Sequence, residues 1–217
     1  MNKRTILSVC LLASAMFGFA SKAPAASLPP PHDLNFTVMR EGDAIGTHVM
    51  KFRQNGDVLN VDIVTDVAVK LAFITVYRFE HKGVEGWNNG NLLVTSTVSN
   101  DDGTNHVLKA QAEGDQLVVN GNGEVHKTPV GIMPASLWNP EIVKHNVLLN
   151  TLHGKHMKVT VDDLGDESVT VKGASVAARH YVINGELERE LWFDKAGTLV
   201  QVRFKGEDKS EILYVLL

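Results

Sequence analysis

Apolar and polar residues alternate with a period of two along most of this chain. Leu34, Phe36 and Val38 alternate with Asn35, Thr37 and Met39, and after Glu41-Gly42-Asp43 the next run sets His48, Met50 and Phe52 against Thr47, Lys51 and Arg53. Such alternation is what a strand with one buried face requires. Asn55-Gly56-Asp57 closes that run with residues that tolerate positive φ, and Leu59, Val61 and Ile63 begin a third strand. Residues 34–65 therefore read as an antiparallel meander with short turns.

Residues 67–82 break the alternation. Phe73, Tyr77 and Phe79 stand opposite Ile74 and Val76, so both faces are apolar and the stretch predicts a central strand covered on both sides. Further strands are expected at 92–98, 106–112 and 117–120, separated by Asn88-Asn89-Gly90, Asp101-Asp102-Gly103 and Glu113-Gly114-Asp115. The style resumes with strands at 157–161, 169–171, 178–183, 187–193, 199–204 and 211–216, and Asp194-Lys195-Ala196-Gly197 reads as a hairpin loop. About a dozen strands demand strong curvature or two packed layers.

One stretch reads as helix. Asn139 can cap a helix that starts at Pro140, Glu141 adds charge to its first turn, and Ile142, Val143, Val147 and Leu149 would form its apolar side. The expected fold is all-β: an antiparallel meander curved into a half barrel or open barrel, with one short helix at residues 140–149 covering the concave side.

The N-terminus sets the compartment. Lys3 and Arg4, the apolar run from Ile6 to Ala20 and the small residues Ala23-Pro24-Ala25 read as a signal peptide over residues 1–25. An extended lead-in follows at 26–33, with Pro29-Pro30-Pro31, and then one β-rich domain at 34–217. The expected location is periplasmic or secreted, in a bacterial envelope, with no transmembrane segment once the signal is removed. Cys10 lies inside that apolar run, so the exported part can form no disulfide of its own and depends on packing. Cleavage also removes Lys3, Arg4 and Lys22 from a chain whose formal net charge is already −4. The acidic balance, with no basic run longer than two, excludes nucleic acid as a partner.

Candidate chemistry is sparse. His145, His153 and His156 are close in sequence, yet a metal site needs three or four converging ligands, and Lys155 would oppose a cation. Asp162, Asp163, Asp166 and Glu167 depart from calcium-loop spacing and read as a solvated acidic turn. No serine sits in a glycine-flanked elbow, and Gly121-Asn122-Gly123 lacks the third glycine of a dinucleotide loop, so no cofactor and no catalytic residue are assigned. Ligand contacts are instead expected from Tyr77, Arg78, Trp87 and Trp138, because a curled sheet often lines its cavity with large aromatic groups. Arg78, if it faces inward, must find a carboxylate, water or an anionic head group, and Glu80 at i+2 shares its face.

Ile45-Gly46-Thr47-His48, Tyr77-Arg78-Phe79-Glu80-His81 with Glu85-Gly86-Trp87, Ser136-Leu137-Trp138-Asn139, Leu148-Leu149-Asn150-Thr151 and Leu191-Trp192-Phe193-Asp194 span most of the chain. In these motifs it resembles a family of uncharacterised exported bacterial β-rich proteins, a domain of unknown function. That resemblance implies the fold and the address and no reaction. In architecture alone the chain is also similar to periplasmic lipoprotein carriers, whose incomplete barrels hold acyl chains against a helical lid.

Three functions follow from these expectations. The first is an exported protein that binds a lipid or other apolar small molecule in the envelope. The second is an envelope interaction or scaffold protein with no ligand cavity, marked by an exposed apolar patch or an uncovered edge strand. The third is a hydrolase acting on an envelope glycan or lipid, marked by a cleft where carboxylates, or a histidine and a carboxylate, converge. No motif calls for the third.

Overall fold

Strand follows strand with almost nothing between them in the computed structural model, which describes residues 32–217. The signal-peptide segment and most of the proline-rich lead-in lie outside the described residues. Fifteen strands are present there: β1 Leu34–Arg40, β2 Asp43–Asn55, β3 Val58–Leu71, β4 Ile74–Asn88, β5 Asn91–Asp101, β6 Thr104–Glu113, β7 Gln116–Gly121, β8 Glu124–Pro129, β9 Met133–Pro134, β10 Val147–Leu149, β11 His156–Val171, β12 Ala174–Gly185, β13 Arg189–Asp194, β14 Leu199–Lys205 and β15 Glu211–Leu216. They form one sheet in the order β8-β7-β6-β5-β4-β3-β2-β1-β15-β14-β13-β12-β11-β10-β9. Apart from the parallel β9–β10 pair, every pairing is antiparallel.

Turn chemistry explains the meander. At Glu41-Gly42, Asn89-Gly90, Asp102-Gly103, Asn122-Gly123 and Lys172-Gly173 both central residues have positive φ, the turn geometry whose twist matches the flanking strands. The first and last strands are joined by the β1–β15 ladder, from Phe36↔Leu216 to Arg40↔Ile212, so the sheet is continuous through the two ends of the described chain.

The sheet is not closed, yet its edge β8 returns alongside residues 153–156. Side chains bridge this seam: His156 Nε2 lies 3.0 Å from the Thr128 hydroxyl, and its ring meets that of His126 edge-on at 5.5 Å. Gly121 on β7 makes the closest approach, because a Cβ there would stand 1.8 Å from the His153 carbonyl oxygen. Leu108, Leu117 and Val119 from β6 and β7 and Leu148, Leu149 and Met157 from β10 and β11 therefore share one core with Phe36, Val61, Trp87, Ile183 and Leu191.

Three local readings need correction. The helix expected over 140–149 is a 3-10 helix of five residues, Pro140–Lys144; Asn139 caps it by accepting from the Glu141 amide, but His145 is already extended and Val147–Leu149 joins the sheet. Residues 67–82 are not one covered strand. They are the far end of the β3–β4 hairpin, turning at Ala72 and Phe73, with Leu71, Phe73, Ile74 and Val76 exposed. Apolar character on both faces reflected a projecting tip rather than cover. The acidic run Asp162–Glu167 is no turn either, since it lies inside β11 with a bulge between Asp163 and Gly165.

Candidate functional site: a polar chamber in the barrel

Register places the candidate site. The inward rungs of the β3–β4 pair run Leu59↔Trp87, Val61↔Glu85, Ile63↔Gly83, Thr65↔His81 and Val67↔Phe79. The first is solid core. From Glu85 onward the rungs border a chamber of about 190 Å³, shared with His48 on β2, Arg189 on β13, Phe204 on β14 and Tyr214 on β15. The rest of its wall comes from Thr97, Met157, Leu187 and the segment 135–152, including Leu137, Asn150 and Leu152; this segment crosses the sheet and is pinned there by the Thr97 hydroxyl donating to the Thr151 carbonyl at 2.6 Å.

The floor is a carboxyl group between two indoles. Glu85 Oε2 accepts from Trp87 Nε1 at 2.8 Å and from Trp138 Nε1 at 3.0 Å, and the two rings meet edge-on at 5.5 Å. Burial pushes the Glu85 carboxyl above the usual carboxylate range, against the three hydrogen bonds from Trp138, Trp87 and Ser136 that pull it down. This arrangement ties β4 to the stretch leading into the short helix.

Two histidines form part of the wall. His48 Nδ1 is 2.7 Å from the Thr65 hydroxyl, and His81 Nδ1 is 2.7 Å from the Ser99 hydroxyl. Enclosure by protein lowers His48 to about 3, with the neighbouring His81 adding to the effect, and lowers His81 to about 4. Both rings are therefore neutral at ordinary pH. The Tyr214 phenol is raised by burial, and burial lowers the Arg189 guanidinium. His48, Arg189 and Tyr214 are partly exposed because they border the chamber.

The four ligand residues expected from sequence are split. Trp87 and Trp138 come together, but as buried core behind Glu85 rather than as chamber wall. Tyr77 and Arg78 lie near the projecting hairpin tip. The Tyr77 hydroxyl donates to Asp101 at 2.8 Å, and Arg78 faces outward to pair with Glu80 at 2.9 Å and Asp66 at 3.3 Å. The chamber residues were visible in the alternation without being singled out: His48 is in phase with Met50 and Phe52, His81 with Phe79, and Arg189 with Leu191. A polar residue at an inward position of an apolar alternation was the available signal.

A second histidine cluster lies on β11–β14. His180 stacks on Trp192 at 4.1 Å, with Nδ1 2.9 Å from Glu167 and Nε2 2.9 Å from Glu190, which also pairs with Arg203. Both ring nitrogens are occupied and none of these residues borders the chamber, so the cluster reads as a structural network. Among the described residues no three His, Cys, Asp or Glu side chains converge as metal ligands, and no helix is long and apolar enough to cross a membrane.

Residues 36–217 match the family described as "Domain of unknown function (DUF6134)". No curated protein matches the chain. Among solved structures, the β-barrel-like protein of the domain of unknown function DUF1849 from Brucella abortus is similar over 88% of this chain and 98% of its own, with a TM-score of 0.62 at 10% sequence identity. At that identity the likeness shows the fold alone.

Proposed function

The chain belongs to the DUF6134 family of unknown function, and on that premise we propose that it is exported to a bacterial envelope and binds an apolar or amphipathic small molecule inside its open barrel. One observation carries this reading: the barrel, otherwise filled by its own core, leaves a chamber of about 190 Å³ where apolar walls from Ile63, Phe79, Leu137, Leu152, Leu187 and Phe204 face polar ones that include His48, Thr65, His81, Arg189 and Tyr214. A cavity that sets apolar walls against placed polar groups suits an amphipathic small molecule. The basic, apolar and small-residue segments of the N-terminus support export. Native mass spectrometry of protein purified from its own envelope tests the reading. A discrete bound mass is expected, and uniformly ligand-free protein contradicts it.

The scaffold reading has one observation of its own. On the outer face Val49, Val64, Lys82, Val98 and Val107 are paired in line across β2–β6, and Val64, Val98 and Val107 are exposed. An apolar ladder of this kind suits a protein surface. If it acts so, the protein migrates in native envelope extracts well above monomer size, and Val64→Glu with Val98→Glu returns it to monomer size.

A further inference from the structure

Six arginines lie among the described residues, and five of them face carboxylates: Arg40 with Asp208, Arg53 with Asp62, Arg78 with Glu80 and Asp66, Arg179 with Asp163 and Asp166, and Arg203 with Glu190. Arg189 is the exception, and it is also the arginine that borders the chamber. Its guanidinium stacks 3.8 Å over the Phe204 ring, and Nη1 donates to the Glu188 carbonyl at 2.7 Å. A guanidinium carries five N–H donors in a planar fork, so one hydrogen bond and one stacked face leave most of its edge unused.

Nothing else in the chamber neutralises it. The lining carboxyl, Glu85, is committed to the two indoles and shifted toward its neutral form, and the lining histidines are neutral. Tyr214 also borders the chamber, and its phenol, unlike a carboxylate, brings no negative charge to Arg189 at ordinary pH. The neighbouring Glu188 carboxylate acts on Arg189 only through its field and makes no ion pair with it, and a cation enclosed by protein with no paired counter-charge is costly to the apo fold. Such a group is retained at a net benefit when a ligand brings the missing charge.

We propose that Arg189 is the head-group site of the chamber, receiving the single acid group of an amphipathic ligand whose apolar part lies against Phe79, Leu137 and Leu187. This deepens the ligand-binding reading and rests on it. The fork of Arg189 would take a carboxylate or a phosphate monoester in two parallel charge-assisted hydrogen bonds, with the stacked Phe204 ring holding the guanidinium plane in place. At roughly 30 Å³ per water-sized group the chamber takes about six such groups, so the fitting ligands are short or medium alkyl acids, or longer ones whose tails leave through the open side.

Calorimetric titration of the purified protein with octanoate, octyl phosphate and 1-octanol reads this directly. Wild type is expected to bind one of the two acids at least tenfold more tightly than the alcohol, and which acid wins identifies the head group. Arg189→Met is expected to lose that preference while keeping its affinity for octanol, and Arg189→Lys to keep part of it. The ligand-free Arg189→Met protein should melt no lower than wild type, whereas a purely structural arginine would lower the melting temperature. If wild type binds acid and alcohol alike, the head-group site is wrong and the chamber reading stands. If it binds neither, both fall. The wild-type comparison decides the matter even if Arg189→Met does not fold.

Discussion

Glu85 accepts the Trp138 indole N–H at 3.0 Å across 53 residues of sequence, and this bond fastens the segment 135–152 to the sheet floor. With Trp87 donating to the same oxygen at 2.8 Å, two buried donors depend on one acceptor. A buried donor stripped of its partner costs about 1–3 kcal/mol, so Glu85→Leu should destabilise the fold by roughly 2–6 kcal/mol in urea denaturation. Glu85→Gln keeps an acceptor and should cost less than half as much. Equal losses for the two substitutions would mean that packing, not the acceptor, holds the segment.

Acid should weaken this protein through its histidines. His48 and His81 remain unprotonated in the folded state down to about 3 and about 4, whereas unfolded histidine takes up a proton near 6.5. The unfolded chain binds more protons in that window, so stability is full above pH 6.5 and is lost as pH falls toward 4. The loss between pH 7 and pH 5 should be about 2 kcal/mol for each histidine. Glu85 has the opposite sign: its folded pKa is raised, so its contribution is full below 4.5 and declines as pH rises. Urea midpoints should therefore rise from pH 5 to pH 7 in wild type, more steeply in Glu85→Gln, and less steeply in His81→Gln.

The seam should tolerate no side chain at Gly121. A methyl group there would stand 1.8 Å from the His153 carbonyl oxygen, a contact that only backbone movement relieves. Gly121→Ala should cost at least 2 kcal/mol by the strain of overpacking, about the middle of the range for such insertions. Amide exchange should quicken along β7, β8 and residues 150–156 before it does elsewhere. A uniform loss across the sheet would show that the seam does not open separately.

The hairpin tip should behave in the reverse way. Phe73 is fully exposed, so Phe73→Ser should change stability by no more than about 0.5 kcal/mol. Ala72 holds a positive φ of 54°, a conformation that costs a non-glycine residue roughly 1–2 kcal/mol, so Ala72→Gly should raise the melting temperature slightly. A large loss on Phe73→Ser would mean that the ring packs against the barrel.

Much of this fold was legible because the period of two and the turn pairs act locally. Asn89-Gly90 and Asp102-Gly103 define hairpins wherever they occur, and Leu59, Val61 and Ile63 face inward because their register allows nothing else. What failed was set by partners distant in sequence. Val147 and Leu149 fit a helical stripe as well as a strand, and the neighbouring strand β11 decided between them. Leu71 to Val76 looked covered because composition does not report where a hairpin outruns its neighbours. The site suffered most: Arg78 and Arg189 are alike in sequence, and only the fold shows that Arg78 has Glu80 and Asp66 on the surface while Arg189 borders a cavity.

The most direct test of the central claim compares native mass spectra of wild type and Leu187→Trp, both purified from their own envelope. Leu187 borders the chamber, and an indole there would occupy much of its 190 Å³. A discrete bound mass in wild type that disappears in the folded variant is the predicted result. A wild-type spectrum with no bound mass, or the same bound mass in both proteins, would contradict the claim that this barrel carries a ligand in its interior.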